Sequence, residues 1–202
     1  MKRSGMSRPV TATRRCASRL WRRGFTLLEL LIVLAIIGIV ATIVIPRVNF
    51  TQFQVDAAAR LIRINLQNAQ RLAVTRQYDV IVSFNLANNR LRIVEDGNNN
   101  GAVDTGERVS WRVLEDSVRL AVPPAGLNGV VTAQVTGANL KTIDGMPSVI
   151  FRRDGAASSD LEVYLTSKRA NSNDYRAVQI VQATGRTDWF KYIGGKWKQG
   201  NL

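Results

Sequence analysis

The chain has 202 residues, 46% of them hydrophobic and 21% charged, enough for one domain with an appendage around an ordinary core. It contains no histidine, which excludes Ser-His-Asp triads, Cys-His dyads and histidine-ligated zinc. A formal charge of +13 points to nucleic acid or an anionic membrane surface, but only if that charge is spread along the chain.

It is not spread. Residues 1–24 carry Lys2, Arg3, Arg8, Arg14, Arg15, Arg19, Arg22 and Arg23 and no acid, so the remainder holds 20 basic against 15 acidic residues. The single cysteine, Cys16, also lies in this leader. The rest of the chain can form neither an internal disulfide nor a cysteine metal site, and a secreted fold of that kind depends on its core or on a bound ion. There is no Gly-rich phosphate loop and no G-x-S-x-G. The chain is expected not to be an enzyme.

From Phe25 to Pro46 the sequence runs FTLLELLIVLAIIGIVATIVIP, 22 residues whose only charge is Glu29. At 1.5 Å per residue this is long enough for a transmembrane helix. The basic residues before it and their absence until Arg47 predict a cytoplasmic N-terminus, with the rest periplasmic or exterior. A secretory signal peptide has a shorter apolar core and an A-x-A-like site. A plain signal anchor leaves Glu29 unexplained, because a carboxylate near lipid is costly without a partner. A buried core helix leaves the basic leader unexplained.

The junction Arg22-Arg23-Gly24-Phe25-Thr26-Leu27-Leu28-Glu29 resembles the prepilin cleavage and methylation motif of the type IV pilin-like superfamily, and the likeness continues through residues 22–46 to Pro46. It implies that a prepilin peptidase cuts between Gly24 and Phe25 at the inner membrane and methylates the new amino terminus. The basic leader, residues 1–24, is then removed. Physical chemistry agrees: the α-amino group of Phe25 and the carboxylate of Glu29 are both costly in lipid, so each favours an opposite charge. Glu29 is thus the expected assembly residue, pairing with an amine of its own or a neighbouring subunit.

Pro46 lacks an N–H to donate and is expected to bend or loosen the helix. Beyond it Val55, Ala59, Ile62, Leu66, Ala69 and Ala73 recur every three or four residues, between Arg60, Arg63, Asn68 and Arg71. Residues 47–77 therefore read as an amphipathic continuation, one face of which covers a sheet. A helix from Phe25 to about Gln77 spans about 80 Å, the long spine that the resemblance implies.

Residues 78–202 read as strands and turns. Asp79–Phe84 and Arg90–Glu95 flank a hairpin loop, 85–89. Arg108–Leu114, Val118–Val122, Val130–Val135, Ser148–Arg152, Leu161–Thr166, Ala177–Ala183 and a last strand Trp189–Ile193 complete the set, punctuated by Pro123-Pro124 and glycines. The expected fold is α+β, pilin-like, with a long N-terminal helix packed on an antiparallel β-rich head.

Between the second and third strands, Asp96-Gly-Asn-Asn-Asn-Gly-Ala-Val-Asp-Thr-Gly-Glu107 matches D-x-[DN]-x-[DN]-G-x₅-E. Asp96, Asn98, Asn100, the Ala102 carbonyl, Asp104 and Glu107 offer oxygen ligands at the spacing that suits Ca²⁺, in a structural role. The plainer reading is an Asn/Gly-rich hairpin loop whose side chains bond its own backbone.

This loop, the cysteine-free head and the late Ala-Thr-Gly-Arg segment, 183–186, are similar to the GspH/FimT branch of minor pseudopilins. Some FimT-like pilins bind DNA through a basic G-R-x-R motif; here Asp188 stands at the second arginine. Arg186 and Lys191, among the aromatics Trp189, Phe190, Tyr192 and Trp197, are the residues that DNA would contact. The plainer reading is a terminal strand with aromatics in the core. The expected function is that of a minor pseudopilin at or near a type II secretion pseudopilus tip, helping to start assembly. Its expected partners are other pilins or pseudopilins. The alternative is a FimT-like minor type IV pilin serving pilus biogenesis or DNA uptake.

Overall fold

The computed structural model describes residues 25–44, 50–127 and 140–200. The chain divides into two units, Met1–Val48 and Asn49–Leu202. The leader, the expected bend at Pro46 and the expected strand Val130–Val135 lie outside the described residues.

The first unit contains α1, Leu27–Val44. The Glu29 amide donates to Thr26 Oγ1 at 3.1 Å, and Leu30 to the Thr26 carbonyl at 3.1 Å. Thr26 is therefore the N-cap, satisfying one of the amides that the first turn leaves open, and Thr26-x-x-Glu29 has the spacing of a capping box. Among the described residues no helix is long and apolar enough to cross a membrane. The 18 residues of α1 rise about 27 Å.

The second unit is built on α2, Phe50–Arg76. Its buried face is Val55, Ala58, Ala59, Ile62, Asn65, Leu66, Ala69 and Ala73. The small residues let the helix approach the strands closely, and Ile62 and Leu66 each contribute about 1.5–3 kcal/mol through full burial. At its end Gln77 adopts φ 59° and its amide donates to the Ala73 carbonyl at 3.0 Å, a left-handed stop.

The strands are β1 Asp79–Asn85, β2 Arg90–Asp96, β3 Arg108–Val113, β4 Val118–Leu120, β5 Lys141–Ile143, β6 Met146–Phe151, β7 Leu161–Ser167, β8 Arg176–Ile180, β9 Thr187–Ile193 and β10 Lys196–Gln199. They form two five-stranded antiparallel sheets, ordered β3-β2-β1-β6-β5 and β10-β9-β8-β7-β4. Helix α2 lies against β1 of the first sheet and β7, β8 and β9 of the second. One apolar cluster joins helix and sheets, including Ile62, Leu66, Val80, Phe84, Val163, Ile180 and Trp189. The fold is α+β, an amphipathic helix covering antiparallel sheets.

Two hairpins were not expected. Asp144 and Gly145 have φ 50° and 72°, and Gly194 and Gly195 have φ 60° and 78°. Positive φ at both central residues is the signature of two-residue turns whose twist matches the strands they join. The first turn adds β5 and starts β6 at Met146; the second adds β10. Strand β8 stops at Ile180, short of Ala183, because Val181 and Gly185 close a turn: Val181 donates to the Arg186 carbonyl and Gly185 to that of Val181. Strand β4 ends at Leu120, short of Val122, ahead of Pro123.

Polar contacts fix the parts together. Arg176 is buried and ion-paired with Asp56 of α2, and its Nη1 donates to the carbonyls of Asn173 (2.7 Å) and Tyr175 (2.9 Å). Gln70 of α2 donates Nε2 to the carbonyls of Gly155 (2.8 Å) and Thr184 (2.7 Å). Asn89 joins the β1–β2 turn to the other sheet, accepting from the Leu120 amide at 2.9 Å and donating to the Val118 carbonyl.

Candidate functional site

Of the processing and assembly residues, Gly24 lies outside the described residues. Phe25 is 80% exposed and Glu29 is exposed on the first turn of α1. Exposed apolar side chains follow from Leu27 through Val40, on every side of the helix. A helix apolar all round in this way belongs in lipid or against other apolar helices.

Helix α2 carries a second apolar stripe that the sequence reading missed. Phe50, Phe53, Ala57, Leu61 and Ile64 recur every three or four residues and are exposed, on the side away from the core. Phe53 is 76% exposed. The periodicity was present in the sequence, but Arg60 and Arg63 between these positions, with Asn68 and Arg71 beyond them, made that side read as polar.

The 96–107 loop connects β2 and β3. Asp96 is fully buried and accepts from the amides of Asn100 (3.2 Å) and Gly101 (2.7 Å). Asn98 Oδ1 accepts from the Asn100 amide at 3.0 Å and Asn100 Oδ1 from that of Ala102 at 2.8 Å. Both asparagine amides donate to Asp104, which holds its carboxyl below the usual aspartate range. The Asp104 amide donates to Glu107 Oε2 at 3.1 Å, while Glu107 Oε1 is buried with no hydrogen-bond partner among the described residues. Lys141 Nζ donates to the Gly101 carbonyl at 2.7 Å, and Val103 packs on Ile81, Val94, Ile143 and Ile150. Among the described residues no three acidic, histidine or cysteine side chains stand together as a metal site. As folded, most of the loop's oxygens serve its own donors.

The C-terminal aromatics divide between core and surface. Trp189 is buried, with the Arg60 guanidinium 5.4 Å from its ring, so it cannot stack on a nucleic-acid base. Trp197 meets Tyr164 at 5.8 Å and Tyr192 at 5.3 Å. Arg186 is tied to Asp188, Nη2 to Oδ2 at 2.6 Å and Nε to Oδ2 at 2.7 Å, so the acid at the motif's second arginine position neutralises the first. Lys191 lies on β9 between Arg176 and Lys198.

A family model for the prokaryotic N-terminal methylation motif matches residues 22–45, the junction and most of α1. A second model, for the type II transport protein GspH, matches residues 58–185, more than half of the chain and most of the second unit. The chain belongs to the GspH family. Membership makes it a minor pseudopilin of type II secretion, a structural subunit. No curated protein sequence matches the chain. It is similar to two solved structures of the minor pseudopilin EpsH from the type II secretion system of Vibrio cholerae. One is 11% identical with a TM-score of 0.48, covering 68% of this chain and 97% of that one. The other is 12% identical with a TM-score of 0.46, covering 68% and 96%.

Proposed function

We propose that this GspH-family subunit is anchored in the bacterial inner membrane by residues 25–46, with its head in the periplasm. There it joins other pseudopilins at or near the pseudopilus tip and helps to start assembly. The supporting observations are the exposed apolar surface of α1 and, in the second unit taken by itself, the exposed Phe50, Phe53, Leu61 and Ile64 of α2. That much apolar surface on helices needs lipid before assembly and neighbouring helices after it. Glu29, capped into the first turn, then supplies the anion for a neighbour's amino terminus.

Processing is the test. Mature protein is expected to begin at N-methylated Phe25, cut from Gly24 by a prepilin peptidase. N-terminal mass spectrometry of membrane fractions reads this directly, and retention of residues 1–24 in a strain with active peptidase removes the proposal.

We also propose a structural Ca²⁺ for the 96–107 loop. Its support is the ligand spacing and the buried, partnerless Glu107 Oε1. Uptake requires the Asn98 and Asn100 side chains to turn their oxygens from their present bonds. DNA is not proposed as a partner, because Arg186 is neutralised by Asp188 and Trp189 is in the core.

A further inference from the structure

Among the described residues strand β3 is the edge of the first sheet, and each of its residues is exposed except the half-buried Ser110. Leu114, the next residue, donates to the Asn89 carbonyl at 3.1 Å, which marks that pair as a hydrogen-bonded one. In an antiparallel ladder such pairs alternate with pairs whose backbone groups point away. Arg112 and Ser110 therefore bond β2, while Val113, Trp111 and Val109 turn their N–H and C=O groups to the open edge. Their side chains share one face and are 68%, 37% and 41% exposed. An edge of this kind, with apolar side chains and no proline or bulge, is a template for another strand.

The opposite face of β3 is charged. Arg108 and Arg112 border a cleft of about 280 Å³ between β3 and α2, with Ser110, Glu95, Asn65 and Asn68. Glu95 is the one acid of that lining; it accepts from the Tyr78 hydroxyl and pairs with Arg108 at 3.6 Å. Arg112 Nη1 donates to the Trp111 carbonyl at 3.1 Å, covering an edge acceptor that a new strand would take over. On the apolar face Arg90 lies 4.2 Å over the Trp111 ring.

We propose that β3 receives an extended segment of a partner protein as an added strand, one whose alternate residues are acidic and apolar. The acidic residues enter the cleft toward Arg108 and Arg112, and the apolar ones cover Val109, Trp111 and Val113. Strand addition takes its affinity from main-chain bonds and its specificity from alternate side chains. A second copy of this chain is the wrong occupant. Paired β3 strands would bring two copies each of Arg108 and Arg112 together on one face, and like charges across strands destabilise the pair. This surface is separate from the helical surface that the assembly reading uses.

The test uses the full-length chain in detergent micelles and an alternating Glu-Val peptide of strand length, with its Lys-Val counterpart as control. The Glu-Val peptide is expected to bind, to protect the Val109, Trp111 and Val113 amides from hydrogen exchange, and to weaken with salt. Val109→Pro removes an edge N–H without touching the β2 ladder and is expected to lower affinity at least about tenfold. Arg108→Glu with Arg112→Glu should exchange the preference to the Lys-Val peptide, a gain that misfolding cannot imitate. Equal binding of both peptides to the unaltered chain, undiminished binding to folded Val109→Pro, or an unchanged preference after charge reversal each overturns the proposal. Self-association through β3 that Val109→Pro abolishes also overturns it, in favour of a second copy.

Discussion

Gly185 shows how one residue can hold a helix to a sheet. It has φ 62°, and a Cβ placed there would stand 2.2 Å from the Gly155 carbonyl and 2.5 Å from Gln70 Nε2. Gln70 is the donor that ties α2 to both the Gly155 and Thr184 carbonyls, so Ala at 185 strains the backbone and forces that bond apart. Gly185→Ala should cost about 2 kcal/mol or more. Gly194, at φ 60° with nothing near its Cβ position, should cost only about 1 kcal/mol as Ala. Denaturant midpoints of the two variants decide it; equal losses would show that the Gln70 contact adds nothing. Tyr78 makes a second residue-scale case. Burial first, then the hydrogen bond to Glu95 and its charge, raise the Tyr78 phenol above its usual value. A raised folded pKa means the neutral form is the one that the fold prefers. Its contribution is complete below the unfolded phenol's value near 10 and is lost as pH rises through the folded value. Tyr78→Phe should flatten this alkaline loss in a stability-against-pH profile. An unchanged alkaline limb assigns the loss to other groups.

At the scale of elements, the β2–β3 loop and α2 behave differently. The loop is closed by asparagine and aspartate side chains bonding backbone amides, with Val103 as its apolar anchor. On the proposed reading an ion there would take Glu107 Oε1, which is buried with no hydrogen-bond partner among the described residues. An ion that binds only the native state stabilises it by about 2.7 kcal/mol at a hundredfold excess over Kd. Melting should therefore rise with millimolar Ca²⁺ and fall with chelator, and Glu107→Ala should respond to neither. Identical melting of the unaltered protein in Ca²⁺ and chelator makes 96–107 an ordinary solvated loop. Helix α2, in contrast, is committed on both sides. Its core face is fixed by Ile62, Leu66 and the alanines, and its outer stripe of Phe50, Phe53, Leu61 and Ile64 is the exposed surface that the proposed assembly would cover.

For the whole molecule the question is what separates membrane insertion from assembly. Glu29→Ala makes residues 25–46 more apolar, so insertion should persist. On the proposed reading it also removes the anion meant for a neighbouring amino terminus, so incorporation into the filament should fall. Fractionation should find the variant in the membrane, while sheared pseudopili should be depleted of it and secretion reduced. Normal incorporation with normal secretion rules out charge pairing as the role of Glu29 in this subunit.

The sequence by itself determined the elements whose signals are local. The Arg22–Glu29 junction is a contiguous motif. The core face of α2 is a 3.6-residue period in which Val55, Ala59, Ile62, Leu66, Ala69 and Ala73 are all buried. Six strands sat close to their expected places for the same reason, alternation between turn residues. The hairpins at Asp144-Gly145 and Gly194-Gly195 were legible too, since both dipeptides permit paired positive φ, but their strands are only three and four residues long. Tertiary structure alone decided the rest, because its causes are distant in the chain. Division of the strands into two sheets depends on pairings such as β1 with β6 and β4 with β7, and local alternation does not encode pairing. Arg176 meets Asp56 from 120 residues away. The open edge of β3 exists because no other described strand continues the sheet there. An edge is a property of topology, and Arg108-Val-Ser-Trp-Arg-Val113 would read the same at the centre of a sheet.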